Sequence, residues 1–175
     1  MAGAKQRVEQ QPAWVLHTYP WRETSLIVEI FARDHGRVAL VAKGARRPHS
    51  QLRGVLMAFQ PLLMDWSGGG EVKTLVRAEW QGGQPLLIGR ALICGYYLNE
   101  LLVRLTARED AHPRLFSAYA DAVRALGRGE PESPILRRFE LALLQDLGYE
   151  AGLAHEGDSG EPVRPMPGRA RTWAV

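Results

Sequence analysis

Two hydrophobic periodicities divide the chain. Up to residue 80, apolar and β-branched residues come in short runs, and in the clearest run they alternate with polar residues, as in strands with one buried face. That run, VKTLVRAEW, follows a glycine hairpin and predicts a strand that buries Val72 and Val76 and turns Lys73 and Arg77 outward. Five runs predict strands at 14–19, 24–33, 37–43, 59–66 and 72–80.

Five short strands in about 70 residues predict a small antiparallel barrel of the OB type. Pro61 lies inside the fourth run. Because proline cannot donate a ladder hydrogen bond, we expect an edge or a bulge at this position.

From Gln84 the period changes to between three and four residues, which predicts helices. The second helix begins with Pro113 and ends at Gly127; the third has Ser133 as its N-cap and ends before Gly148. In the first helix we expect the single cysteine to be buried as a small hydrophobic residue. The three apolar stripes consist of Leu87, Ala91, Cys94, Leu98, Leu101 and Leu105; of Leu115, Tyr119, Ala122 and Leu126; and of Leu136, Phe139, Leu143 and Leu147.

These patterns predict an all-β plus all-α protein. A five-stranded OB-fold barrel occupies 1–80, and a helical bundle domain occupies 81–149 after the linker QGGQP at 81–85. Residues 150–175 are rich in Gly and Pro and have no amphipathic run long enough to pack, so we expect a flexible tail.

The composition is that of an ordinary globular protein, with 46% hydrophobic and 23% charged residues. One cysteine excludes an internal disulfide and a multi-cysteine zinc site. The longest apolar runs are far shorter than the roughly 18 residues of a membrane helix, and the N-terminus has no signal-peptide pattern. We therefore expect a cytoplasmic protein without a membrane partner.

Catalytic signatures are missing from the sequence. It contains no GxSxG, HExxH or GxGxxG, and the GGG at 68–70 lacks the Lys and Ser or Thr of a phosphate-binding loop. The five histidines are scattered without metal-ligand spacing. We expect no enzymatic activity, no metal and no cofactor.

Positive charge is concentrated in the first half. Residues 1–80 contain eleven Lys or Arg and seven Asp or Glu, and no acidic residue lies between Asp34 and Asp65. The densest part is KGARRPHSQLRG at 43–54, between the third and fourth predicted strands. On a small barrel such a loop is typical of a surface that binds single strands, with cations along the phosphates and aromatic rings on the bases. Charge clustering alone also fits a solvated loop whose arginines only aid solubility.

Three segments closely resemble the RecO family of bacterial recombination mediators: VLHTYPWRETSLIVEIF, HGRVALVAKGARRPHSQLRGVLMAFQPL and the LGY that ends the third helix. The resemblance extends from Trp14 to Tyr149 and implies an OB-fold followed by a helical domain, which the periodicity also predicts. It further implies binding of single- and double-stranded DNA and annealing of complementary strands. The implied partners are RecR and single-stranded-DNA-binding protein and, indirectly, the recombinase RecA, at a nucleoid-associated location in the cytoplasm.

The resemblance also implies site residues. DNA contacts are expected at Lys43, Arg46, Arg47 and Arg53, and as weaker candidates at Arg22, Arg37, Lys73 and Arg77. A base could stack on the indole of Trp21, which precedes one of these arginines. The helical domain is expected to hold the acidic, phenylalanine-ended tail of single-stranded-DNA-binding protein, with a cation from among Arg124, Arg128, Arg137 and Arg138.

The chain departs from the family pattern after LGY, where many members carry a four-cysteine zinc finger and further helices. Here GLAHEGDSGEPV follows without cysteine, so we expect no zinc. Two other functions fit the same cations. One is a protein-interaction module for an acidic partner, and the other is a binder of structured RNA.

Overall fold

The computed structural model of the protein describes residues 6–149, so the tail expected at 150–175 lies outside the described residues. Within that range the strands close into a barrel in the order β1-β2-β3-β5-β4, with β4 paired back to β1, and helices follow. The predicted fold class is therefore confirmed. The elements are β1 (Arg7–Trp21), β2 (Ser25–Ala32), β3 (Gly36–Ala42), α1 (Leu52–Val55), β4 (Leu62–Ser67), β5 (Val72–Trp80), α2 (Gly89–Leu105), α3 (Pro113–Gly127) and α4 (Glu132–Asp146).

One pairing corrects the prediction of an antiparallel barrel. Strands β3 and β5 run parallel, with Ala39 opposite Val72 and Val41 opposite Thr74, whereas the other pairings are antiparallel. Parallel neighbours need a long connection. The basic stretch, helix α1 and strand β4 together form this connection. Strand β4 itself pairs with β1 and β5 and not with β3.

The first half of β5 has the predicted period but buries the opposite face, and a register shift at Val76 then returns the predicted face, at Ala78, to the core inside the barrel. Lys73 and Leu75 are buried, whereas Val72 and Val76 are 42% and 54% exposed. Leu75 belongs to the core inside the barrel. Alternation gives the spacing of the two faces and not which of them meets the core, so the assignment of the faces was wrong for residues 72–75.

Strands β4 and β1 begin at positions that differ from the predicted ones. Trp66 and Met64 of β4 are almost fully buried within the barrel core. This strand begins at Leu62, so Pro61 precedes the strand and causes no bulge inside it. Strand β1 begins well before the predicted start, because its first half pairs with β4 and its second half with β2. The alternation along β1 breaks at Gln10, which has a φ of 53°.

The three helices after the barrel keep the predicted number and order, but two of them differ in detail. Helix α3 starts at Pro113 and buries its predicted stripe. Helix α4 starts at Glu132, so Ser133 lies inside the helix and is not its N-cap. Its fully buried residues are Ile135, Phe139 and Leu143.

Helix α2 is rotated relative to the predicted stripe. Its buried residues are Gly95, Leu98, Asn99 and Leu102, while Cys94 is only partly buried. A Cβ on the glycine would lie 2.8 Å from side-chain atoms of both Phe59 and Leu87. The close approach of these two side chains therefore needs the glycine, while Cys94 packs partly buried against the same core.

The helices pack on the outer face of the barrel. Trp14 and Phe31 project from β1 and β2 towards Tyr119 of α3, with ring centroids 5.6 and 6.2 Å from its ring. The buried amide of Asn99 donates a hydrogen bond to the Leu16 carbonyl at 3.0 Å and accepts one from the Tyr119 hydroxyl at 2.5 Å. Burial raises the pKa of Tyr119, so its phenol remains the donor.

The segment between α2 and α3 makes a second contact with the barrel. The Glu109 N–H donates a hydrogen bond to the Arg37 carbonyl at the start of β3, at 2.8 Å. Gly36, with a φ of 66°, lies so close to this segment that a Cβ would be 1.8 Å from the Asp110 carbonyl oxygen. Backbone therefore meets backbone where the helical part joins the barrel.

Candidate nucleic-acid interface

The basic loop, residues 43–54, folds as a series of short turns held at both ends by the barrel core. Gly44, with a φ of 69°, starts the first turn, which the Arg47 N–H closes by donating to the Gly44 carbonyl at 3.1 Å. The short helix α1, which the hydrophobic pattern does not predict, ends the loop. Ala45 and Leu56 are buried in the barrel core at its two ends. The apolar residues thus fix the backbone, and the charged residues are left on the outside.

Lys43, Arg47 and Arg53 of this loop have exposed side chains. These three cations form no ion pair with any carboxylate that the structure describes. The first two line an open hollow of about 500 Å³ together with Pro48 and His49. Cations that neutralise no carboxylate of their own protein are available for an external anion.

Arg46 has a different role from its neighbours. Its guanidinium donates hydrogen bonds to the carbonyls of Arg22 and Glu23 at 3.3 Å each, and its main-chain N–H donates to the Thr24 carbonyl at 2.9 Å. Residues 22–24 form the turn between β1 and β2. Arg46 therefore ties the basic loop to this turn, although its side chain is exposed.

The turn carries a further cation beside an aromatic ring. The guanidinium carbon of Arg22 lies 5.9 Å from the ring centroid of Trp21, and this indole is 43% exposed. Arg22 itself has a φ of 53°, a conformation that the tight turn imposes. The pair proposed from the sequence is thus present, next to the basic loop.

Two of the weaker candidates are engaged inside the protein. The Arg37 side chain is 11% exposed, donates to the Thr106 carbonyl at 2.8 and 3.1 Å, and lies 3.5 Å from the Glu29 carboxylate. Burial lowers its pKa from the ordinary value, and Glu29 opposes that effect. Lys73 is buried and pairs with Glu109. Arg37 also lies at the far end of β3 from the basic loop, six residues before Lys43, which is a distance of about 20 Å along an extended strand.

The remaining candidate, Arg77, is exposed and pairs with Glu79 at 2.5 Å. We therefore leave Arg37, Lys73 and Arg77 out of the candidate interface. It comprises the three unpaired cations of the basic loop with Arg22 and Arg46 at the adjoining turn.

The described part of the chain shows neither a metal centre nor a membrane span. No three His, Cys, Asp or Glu side chains within residues 6–149 are arranged to hold a metal ion. No helix in this range is long and apolar enough to cross a membrane.

A closed five-stranded barrel of this strand order, with a basic loop between its third and fourth strands and helices on its outer face, defines an OB-fold protein with a helical extension. The family models described as Recombination protein O N terminal and Recombination protein O C terminal match residues 7–83 and 89–169. The chain therefore belongs to the RecO family of DNA repair proteins.

Relatives from several bacteria are similar over most of the chain. A DNA repair protein RecO from Aromatoleum aromaticum is 81% identical over 162 residues, covering 93% of this chain and 67% of the relative. One from an Azoarcus species is 78% identical over 160 residues, covering 91% and 66%, and one from Ralstonia nicotianae is 60% identical over 164 residues, covering 94% and 60%. The chain thus spans about two thirds of the length of the first two relatives and less of the third.

Proposed function

We propose that this chain is a DNA-binding recombination mediator without enzymatic activity. It binds single- and double-stranded DNA, anneals complementary strands and helps to load a recombinase onto DNA coated with single-stranded-DNA-binding protein. The observation that carries the proposal is the set of three exposed cations, Lys43, Arg47 and Arg53, on one loop of an OB barrel in a RecO family member.

The basic loop suits the phosphate backbone rather than base sequence. Loop cations that neutralise phosphates release the small cations condensed on the DNA, so that affinity depends strongly on salt and weakly on sequence. Annealing requires that two polyanions approach each other. A protein surface with unpaired cations lowers the repulsion between the two strands without reading either of them.

A panel of nucleic acids tests this function. Fluorescent single-stranded DNA, duplex DNA and RNA are titrated with the protein at several salt concentrations. We expect both DNA forms to bind with an affinity that falls steeply as salt rises. A clear preference for RNA would favour the RNA-binding alternative. No shift with any nucleic acid would favour a protein-interaction module.

The proposed protein partners are RecR, RecA and single-stranded-DNA-binding protein. For the acidic, phenylalanine-ended tail of the last of these, helices α3 and α4 offer a cavity of about 270 Å³. Its apolar wall includes Ile135, Phe139 and Ala122, which suit an aromatic ring. Arg138 also lines the cavity, as do Asp121 and Glu130, whose carboxylates are paired with arginines outside it.

The four arginines considered for this tail differ in their ion pairing. Arg124 pairs with Asp121, Arg128 with Glu130, and Arg137 with Glu140. Arg138 pairs with no carboxylate among the described residues. Because it alone combines a free guanidinium with a position in the cavity wall, we propose it as the cation that meets the tail.

Arg138→Ala should weaken binding of a peptide of this tail by about 10-fold or more, since hydrogen bonds to charged groups contribute about 1.5–3 kcal/mol. Arg137→Ala, one residue away and already paired, is the matched control and should bind almost normally. Calorimetry with both variants measures the difference. Equal affinities for the two variants would place the tail elsewhere.

A further inference from the structure

Three aromatic side chains form an exposed row along β1. His17, Tyr19 and Trp21 are alternate residues of this strand and therefore point to the same side of the sheet. Tyr19 and Trp21 are 37% and 43% exposed, and the rings of His17 and Tyr19 lie 5.9 Å apart with an interplanar angle of 32°. We call these three residues the aromatic row.

The row lies on the outer face of the barrel. Tyr19 is directly opposite Ile27 and His17 opposite Glu29 in β2, while Val28, between these two partners, belongs to the core inside the barrel. Opposite residues in an antiparallel pair share a face. This outer face is covered by the helices at Trp14 and Phe31, whereas the row remains exposed.

The row ends beside the basic loop. Trp21 is followed by Arg22, whose carbonyl accepts a hydrogen bond from the Arg46 guanidinium of the loop at 3.3 Å. The turn and the loop are joined again by the bond from the Arg46 N–H to the Thr24 carbonyl. A flat apolar surface and unpaired cations are thus held next to each other by the fold.

We propose that the aromatic row stacks the unpaired bases of a single strand whose phosphates contact the basic loop. This inference rests on the proposed function and adds a preference for single-stranded over double-stranded DNA. Every base has a face that can stack on an aromatic ring, so the row needs no particular sequence. In a duplex those faces are already stacked on neighbouring bases. The row therefore contributes to single-strand binding and leaves duplex binding to the cations.

Trp21→Ala tests the inference by a comparison of two ligands. Its affinity for an oligothymidylate should fall by about 5- to 150-fold, the range that loss of one base–aromatic stack produces. Its affinity for duplex DNA should stay within about twofold, and its salt dependence on the oligothymidylate should not change, because no phosphate contact is lost. Tyr19→Ala should show the same selectivity, and Trp21→Phe, which retains a ring, should restore most of the affinity.

The outcomes separate this inference from the proposed function. Unchanged oligothymidylate affinity in both alanine variants would overturn the aromatic row while the parent protein still binds DNA. An equal loss on single strands and duplex would also overturn it, since the residues would then support the surface in general. If the parent protein binds neither DNA form, the proposed function fails and the inference fails with it.

Discussion

Glu29→Gln is expected to lower the free energy of unfolding by about 3 kcal/mol, because it removes the only carboxylate within residues 6–149 that pairs with the buried Arg37 guanidinium. Glu29 is 5% exposed and pairs with Arg37 of the neighbouring barrel strand and, across the junction of barrel and helices, with Arg108. The Arg37 side chain is 11% exposed and cannot turn to solvent, whereas Arg108 is 43% exposed and can. The decrease in the free energy of unfolding should therefore lie near the low end of the range for a broken buried ion pair, which is about 3–5 kcal/mol.

Thermal unfolding measures this effect, and for a chain of this size the melting temperature should fall by roughly 6–12 °C. Glu79→Gln is the matched control, since its pair with Arg77 is about half exposed on both sides. Exposed pairs contribute at most about 1 kcal/mol. If the two variants melt within about 2 °C of each other, the buried pairs contribute no net stability and the junction is held by its apolar contacts.

Neutralising Lys43, Arg47 and Arg53 together should weaken single-stranded DNA binding by at least about 100-fold at low salt, since three contacts to charged groups are lost. The slope of log affinity against log salt should become shallower by about 2, at about 0.7 for each phosphate contact. Arg46 is left unchanged in this variant because its guanidinium holds the β1–β2 turn. The melting temperature should not change, since the replaced side chains are exposed.

A variant with the same change in net charge provides the control. Arg7, Arg33 and Arg104 are exposed, and each already pairs with a carboxylate of its own chain. Their replacement by alanine should leave the slope close to that of the parent protein. If both triple variants lose affinity equally, the general charge of the protein attracts DNA and the basic loop has no special part in it.

The local pattern predicted the elements well, because the periods of strands and helices are set by neighbouring residues. The five strands, Pro113 at the start of α3 and the buried stripe of that helix required no distant information. Strand pairing is different. The parallel contact of β3 with β5 depends on where β4 lies, which short-range alternation does not encode.

The candidate site could be predicted only in part from the sequence, because contacts between distant residues decide which cations remain exposed. In the sequence Arg37 and Lys73 look like any other cations of the basic half. What removes them from the interface is contact with Thr106 and Glu109, which are 69 and 36 positions away. The basic loop is different, since it has no acidic residue within it, and its sequence alone identified the cations that the fold leaves unpaired.

The aromatic row was only partly visible in the sequence. The cation that follows Trp21 marks it as a candidate in the sequence, whereas His17 and Tyr19 resemble ordinary strand residues. Their exposure follows from the placement of the helices, which cover Trp14 and Phe31 on the same face and stop short of the row. A period of two along β1 could have suggested that the three rings share a side.

Lysine footprinting tests the central claim most directly. The chain has three lysines, of which Lys43 is exposed in the basic loop, Lys73 is buried against Glu109, and Lys5 lies outside the described residues. The protein is acetylated with and without saturating single-stranded DNA, and modification is measured by mass spectrometry. We predict that Lys43 reacts readily in the free protein and is strongly protected by DNA, while Lys73 reacts little in either state. Equal modification of Lys43 with and without bound DNA would contradict the assignment of the basic loop as the DNA-binding surface.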